Sequence, residues 1–356
     1  MKCLIYILTF VFFSQLNAQS YDLGQEEIRT HCPLYNQAYQ EIADMLDGKI
    51  DLSIKRAVFL TEWAYLDGEL NYDDFCHGID TVATFLHNFI EVNGLQEFKT
   101  AGNYALFEYF CRPYSGNGYQ PFTYDYEDFS GSSDLTKLFV SKVMRTHSGQ
   151  CRGLPMYYKV LAEAIGAEAH ITFAPQHLFI RHQDEMEENK WVNVELTTQS
   201  LAREIFYIER FNIGDQAIRN KVYLYPLTDK ETVAYLLSEM LVTGYLRKYS
   251  DYDDLVWASV IKSLEHYPQN INALQYKANR VNNLLMKHLT TNNHQIDEYA
   301  ELLDAQWRAI SDEIKALGWS KMDYSLYEKL IRETEEQQRK EQAGKSTMNT
   351  EIKRTK

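Results

Sequence analysis

Positive charge, cysteine, phosphate-cradling glycine runs and long apolar stretches are all scarce in this chain of 356 residues. Lys and Arg number 36 against 50 Asp and Glu, a formal net charge of -14. That deficit argues against nucleic acid as a partner, because phosphate neutralisation needs a basic face. No Gly-rich loop suited to phosphate is present. His77, His87, His147 and His170 show no metal-ligand spacing with acidic or thiol partners, so neither a metal nor another cofactor is expected. The one long apolar stretch, Leu4 to Phe13 with Thr9 inside it, is shorter than the ~20 residues a spanning helix needs. Cysteine is sparse as well. Cys32, Cys76, Cys111 and Cys151 follow the leader, and four thiols allow two bridges in three connectivities. With Cys151 reserved as a nucleophile, one of the other three stays unpaired, and the sequence does not choose which.

The composition that remains is that of a globular protein, 45% hydrophobic and 24% charged. Met1-Lys2, the apolar run and Leu16-Asn17-Ala18 before Gln19 together read as a secretory signal peptide over residues 1–18. The mature protein is therefore expected to be secreted or periplasmic, touching a membrane only if that leader stays uncleaved.

Apolar residues recur at helical spacing in Tyr35–Leu46, Leu52–Leu66 and Asp80–Val92, which makes 19–103 a helical N-terminal region. Residues 104–129 hold Tyr104, Tyr109, Tyr114, Tyr119, Tyr124 and Tyr126 among Pro and Gly. They predict a long aromatic loop that either lines a groove or covers a core. A helix over Leu135–Met144 leads to a turn at Cys151. Leu154, Tyr157, Tyr158, Leu161 and Ile165 then mark a second helix that Gly166 ends. Two strands follow, Ala169–Phe173 and His177–His182, and after a charged tip a third, Trp191–Thr197. Alternation puts His177 on one face with Asn193 and Glu195, if the hairpin pairs them. From Lys230 the chain is helical again. Gly244, Ser263 and Pro268 fall where a tetratricopeptide repeat places Gly, a small residue and Pro, with Arg247 where an aromatic is usual. After Ile331 apolar spacing ends, and a disordered tail is expected over 332–356.

The chemistry concentrates in Ser148-Gly149-Gln150-Cys151-Arg152-Gly153-Leu154-Pro155. A free thiol is mostly protonated at neutral pH, but a helix start and a nearby imidazolium both favour the thiolate. His177 can serve as base, with Glu195 holding its far ring nitrogen and Asn193 a second candidate for that task. The backbone N–H of Cys151 is a candidate oxyanion donor, and Gln150, Asn117 or Gln120 could provide another. Such a set attacks a carbonyl, forms a thioester and is resolved by water or an amine.

The run Gly149-Gln150-Cys151-Arg152-Gly153-Leu154, followed by Leu161-Ala162-Glu163-Ala164-Ile165-Gly166, is similar to the core of the transglutaminase-like cysteine-protein superfamily. His177-Leu178-Phe179-Ile180-Arg181 and Trp191-Val192-Asn193-Val194-Glu195-Leu196-Thr197 carry the same resemblance. The chain resembles the SirB-type branch, which joins such a domain to tetratricopeptide-like helices. That family commonly has Asp where Glu195 stands. The resemblance spans about residues 50 to 280. It implies an α+β, papain-like core over 104–228, a helix packed on an antiparallel sheet, with a tetratricopeptide-like region over 229–331. It also implies Cys151 as nucleophile, His177 as base and Glu195 as third member, acting on peptide or protein amide bonds by hydrolysis, deamidation or acyl transfer. The alternative is a non-catalytic scaffold that binds a protein partner on its C-terminal helices.

Overall fold

The computed structural model describes residues 28 and 30–340, apart from 324, 327, 334 and 338. The expected signal peptide lies outside the described residues. Among these, no helix is long and apolar enough to cross a membrane.

The architecture is α+β. Helices α1 (Pro33–Leu46), α2 (Ile54–Tyr65), α3 (Tyr72–Val92) and α4 (Ala101–Cys111) open the chain. A short parallel pair follows, β1 (Thr123–Tyr124) with β2 (Ser148–Gly149), separated by α5 (Val140–Thr146). Helix α6 (Gly153–Ile165) then leads into the sheet β3 (His170–Ala174), β4 (His177–Gln183), β5 (Trp191–Glu195) and β6 (Ser200–Ala202). These four strands run antiparallel in chain order, as a meander.

Helix α6 is buried without interruption from Gly153 to Ala162. A helix that is apolar all round must be enclosed on every side, and α6 packs on β3 and β4 while α2, α3, α4 and α5 also touch it. Its Lys159, only 4% exposed, reaches Asp229 at 2.6 Å. The helices are locked by carboxylates borrowed from afar. Glu163 accepts the Ile54 and Lys55 N–H groups at the start of α2, at 2.6 and 2.8 Å. Glu62 accepts those of Val140 and Ser141 at the start of α5, at 2.6 and 3.1 Å. A carboxylate there satisfies orphan donors and meets the positive end of the helix dipole.

Tyr104 and Tyr109 do not begin a loop. They belong to α4, where Ala101, Ala105, Leu106, Tyr109 and Phe110 form its buried side. Helical spacing outweighs tyrosine density, and the first proline after it, Pro113, comes beyond the last turn. The helix expected over 135–144 is broken at Phe139 into a 3₁₀ turn, Leu135–Leu138, and α5.

After the sheet come α7 (Glu204–Phe211) and α8 (Asp215–Arg219). Helix α9 (Asp229–Leu236) continues through a π-helical stretch, Leu237–Val242, into α10 (Thr243–Tyr249). Helices α11 (Asp254–His266), α12 (Ile271–Thr291) and α13 (Glu298–Ala316) complete that region. The described residues of 325–340 are helical too, where composition alone suggested disorder from 332; residues 341–356 lie outside the described residues. Cys32, Cys76, Cys111 and Cys151 are all free thiols, so the bridge left open among the first three is not formed among the described residues.

Candidate active site

The turn that carries Cys151 is built by close packing. Gly149 and Gly153 flank it, and a Cβ on either would sit 2.7 or 2.9 Å from Cγ2 of Val143 in α5. Their lack of side chains lets α5 and the turn touch, which holds Cys151 just ahead of α6. Parallel pairing of Tyr124 with Gly149 ties the aromatic segment to the same turn. Lys142 secures both, meeting Asp125 at 2.5 Å and donating to the Ser148 carbonyl at 2.9 Å.

The strands present the rest. Ile180 pairs with Val194 and Arg181 with Asn193, so His177, Phe179 and Arg181 share a face with Asn193 and Glu195. His177 Nε2 lies 2.6 Å from Glu195 Oε2, which leaves Nδ1 for the thiol. Cys151 and His177 line the same cleft, near enough for each to bias the protonation of the other. The Cys151 Sγ also lies 3.8 Å from the carbonyl oxygen of Gln176, in the hairpin turn where Gln176 takes a left-handed φ of 56°.

Glu195, 2% exposed, is held on both oxygens. Oε1 accepts from the Thr197 N–H at 3.1 Å and its hydroxyl at 2.6 Å. Oε2 accepts from the Tyr207 hydroxyl at 3.2 Å besides facing His177. Burial opposes ionisation of Glu195, but His177 and the Thr197 donors outweigh it and hold the carboxyl below its usual range. Burial likewise disfavours the imidazolium, yet the Glu195 charge and the Cys151 contact push His177 up to about 10. The Cys151 thiol is burdened by burial too. The nearby His177, helped by the charge of Arg152, brings it below the ordinary thiol range. The three groups thus favour a thiolate–imidazolium pair backed by a carboxylate.

Asn193 does not orient the imidazole. Its Oδ1 accepts from Arg181 Nε at 2.7 Å and its Nδ2 donates to the Ala202 carbonyl at 2.9 Å. Gln150 is fully buried; its carboxamide atoms have no partner among the described residues, and it is not among the side chains lining the cleft. Asn117 is spent on a turn, donating to the carbonyls of Tyr109 and Arg112. Gln120 is exposed.

A cleft of about 220 Å³ opens over Cys151, His177 and Glu195. Tyr124, Tyr126 and Phe129 form one wall, and Phe206, Arg210 and Phe211 another. The Tyr-rich segment therefore divides: Tyr124 and Tyr126 line the cleft, whereas Tyr109 and Phe122 enter the core. Phe211 stacks on the His177 ring with centroids 5.3 Å apart.

Tyr124 and Tyr207 escape a reading of the sequence. Burial pushes both hydroxyls up, with the Cys151 charge adding to the effect on Tyr124 and the Glu195 charge to that on Tyr207. Both stay protonated and able to donate. Tyr124 is one of many tyrosines in its segment, and Tyr207 lies on a helix whose spacing shows only that it is buried. Among the described residues, Asp47, Glu265 and His266 are close enough to hold a metal ion, but Lys262 already meets Asp47 at 2.9 Å and Glu265 at 2.7 Å. No protein-family model matches the chain, and no curated protein or solved structure matches it.

Proposed function

We propose that this protein is a cysteine enzyme of transglutaminase-like type that acts on amide bonds of a peptide or protein through Cys151, His177 and Glu195. The observation that carries the reading is the convergence in one cleft of the Cys151 thiol with His177, whose Nε2 lies 2.6 Å from Glu195 Oε2. A helix following the nucleophile and packed on an antiparallel sheet supports the papain-like core that the sequence resembles.

The Cys151 thiolate attacks the carbonyl carbon. The oxyanion that forms is met by the Cys151 N–H and the Tyr124 hydroxyl, in place of the side chains of Gln150, Asn117 or Gln120. As the C–N bond breaks, the proton on His177 Nδ1 passes to the leaving nitrogen, and a thioester remains. Water or an amine then loses a proton to Nδ1 and attacks the thioester. The C–S bond breaks and the thiolate returns. Glu195 holds the imidazole and balances its charge throughout. The leader sequence makes the substrate an exported or extracellular peptide or protein.

Mass spectrometry of the mature protein with a peptide-amide library tests this. A thioester adduct confined to Cys151, absent in His177→Ala, is expected. Adducts spread over Cys32 and Cys76, or unchanged in His177→Ala, would remove the reading.

A scaffold role is the second reading. Met286, Ile296, Tyr299, Leu302 and Trp307 are exposed on or between α12 and α13 and offer a surface for a protein partner. A Cys151→Ala protein that keeps the full cellular function would favour it.

A further inference from the structure

The far side of the cleft is formed by the chain itself. Met322, Leu330, Ile331 and Gln337 line it opposite the catalytic groups. Met322 and Leu330 pack on the cluster of Ala174, Phe179, Tyr207 and Phe211, the rings that also support His177. Arg210 Nη1 meets Glu333 Oε2 at 2.8 Å. Lys329 is the other cation near Glu333, at 3.9 Å.

Arg210 is the only Lys or Arg among the described residues that line the cleft. Its guanidinium lies 5.8 Å from the Phe206 ring centroid and 6.0 Å from that of Phe211, so both aromatic faces favour the cation. Arg210 directly precedes Phe211, whose ring stacks on the imidazole. A fork of donors is thus held beside the reacting groups on a rigid aromatic floor. Guanidinium is the side chain best matched to a planar carboxylate. Its present partner, the Glu333 carboxylate, comes from the same segment as Leu330 and Ile331, which line the cleft. At 35% and 37% side-chain exposure the ion pair is open enough to exchange.

We propose that Arg210 is the specificity residue of this cleft: it selects a peptide carrying a carboxylate beside an aliphatic residue, and Glu333 of the chain's own C-terminal segment occupies that place until such a peptide displaces it. The inference rests on the cleft being a peptide site, but its test requires no turnover.

Full-length protein is labelled at Cys151 with a bulky fluorescent maleimide, with and without N-acetylated peptide amides that differ only in Glu, Gln or Lys beside Leu. Glu333→Gln is expected to speed labelling about two- to fivefold, the range for loss of a half-exposed ion pair. In that variant the Glu peptide should protect Cys151 at several-fold lower concentration than the Gln peptide. Arg210→Lys should keep the preference, and Arg210→Glu should transfer it to the Lys peptide. Equal protection by all three peptides, or a Glu preference that survives Arg210→Glu, would overturn the proposal. Unchanged labelling in Glu333→Gln would overturn the displacement. Melting curves of each variant confirm that it is folded. If Cys151 titrates as an ordinary thiol while the charge preference holds, the proposed catalysis fails and the subsite stands.

Discussion

The sheet face that carries His177 and the hairpin of α12 and α13 spend polar side chains in opposite ways. On that face they are buried, each with a hydrogen-bond partner: Glu195 at 2% exposure, Arg181 at 3% and Asn193 at 4%. In the hairpin the buried set is an apolar stripe, Leu274, Ala278, Val281, Leu303, Ile310 and Ile314. Its ion pairs, such as Arg308 with Asp304 at 2.7 Å, lie at the surface. Burying an ionisable group is costly unless it is paired and hydrogen-bonded. The sheet face accepts that cost at all three, and this is where the proposed chemistry sits. The hairpin avoids it, and its sequence is free to serve as packing and surface.

The contrast can be broken most sharply at His177. At pH 6 an ordinary thiol is ionised to well under one part in a hundred. His177→Ala should therefore slow iodoacetamide reaction of Cys151 by roughly two orders of magnitude at that pH, while the wild type holds a plateau. A wild-type profile rising only near pH 8.5 would mean that the buried relay does not activate the sulfur.

Glu195→Gln comes next. It keeps the shape of the side chain but removes the charge that raises His177, so burial should carry the imidazole below its ordinary range. The ion pair then collapses toward neutral thiol and imidazole, and labelling at pH 7 should fall about tenfold. Stability should follow the same logic. The raised His177 contributes fully below its unfolded value near 6.5 and loses that contribution as pH climbs through about 10. Urea midpoints across that window, wild type against His177→Ala, measure the convergence on the alkaline side.

Tyr207→Phe removes one of the donors to Glu195 and leaves the ring that stacks on Phe179 at 3.9 Å. About 1 kcal/mol of stability should be lost, read from urea unfolding, with a smaller effect on labelling than Glu195→Gln. At the other end, Arg308→Ala in the hairpin should leave both the melting midpoint and Cys151 labelling unchanged. A clear drop in either would mean that the two regions are less different than their burial implies.

Much of the site is legible before any coordinates. The apolar spacing from Leu154 to Ile165 identifies a buried helix, and Gly166 ends it with φ 69°. Alternation from His177 and from Trp191 predicts which side chains share a face, and Glu195 joins His177 there as the register requires. The same alternation does not choose between Glu195 and Asn193. That depends on Arg181, which takes Asn193, and no spacing rule reports a partner twelve residues away. Helix α4 is misread because tyrosines draw the eye from Ala101, Ala105 and Phe110, whose spacing is helical. Strand β6 is too short for periodicity to register.

Local pattern by itself determined the α+β composition, the helix that follows Cys151, and the face that carries His177 and Glu195. These follow from nearest-neighbour constraints, the 3.6-residue turn and the two-residue pleat. Tertiary structure alone decided that Tyr124 shares the cleft with the sulfur, that Tyr207 holds the carboxylate, and that residues near 330 line the same cleft. Each joins segments far apart in the chain, and such contacts are set by the summed packing of elements rather than by any repeat within them.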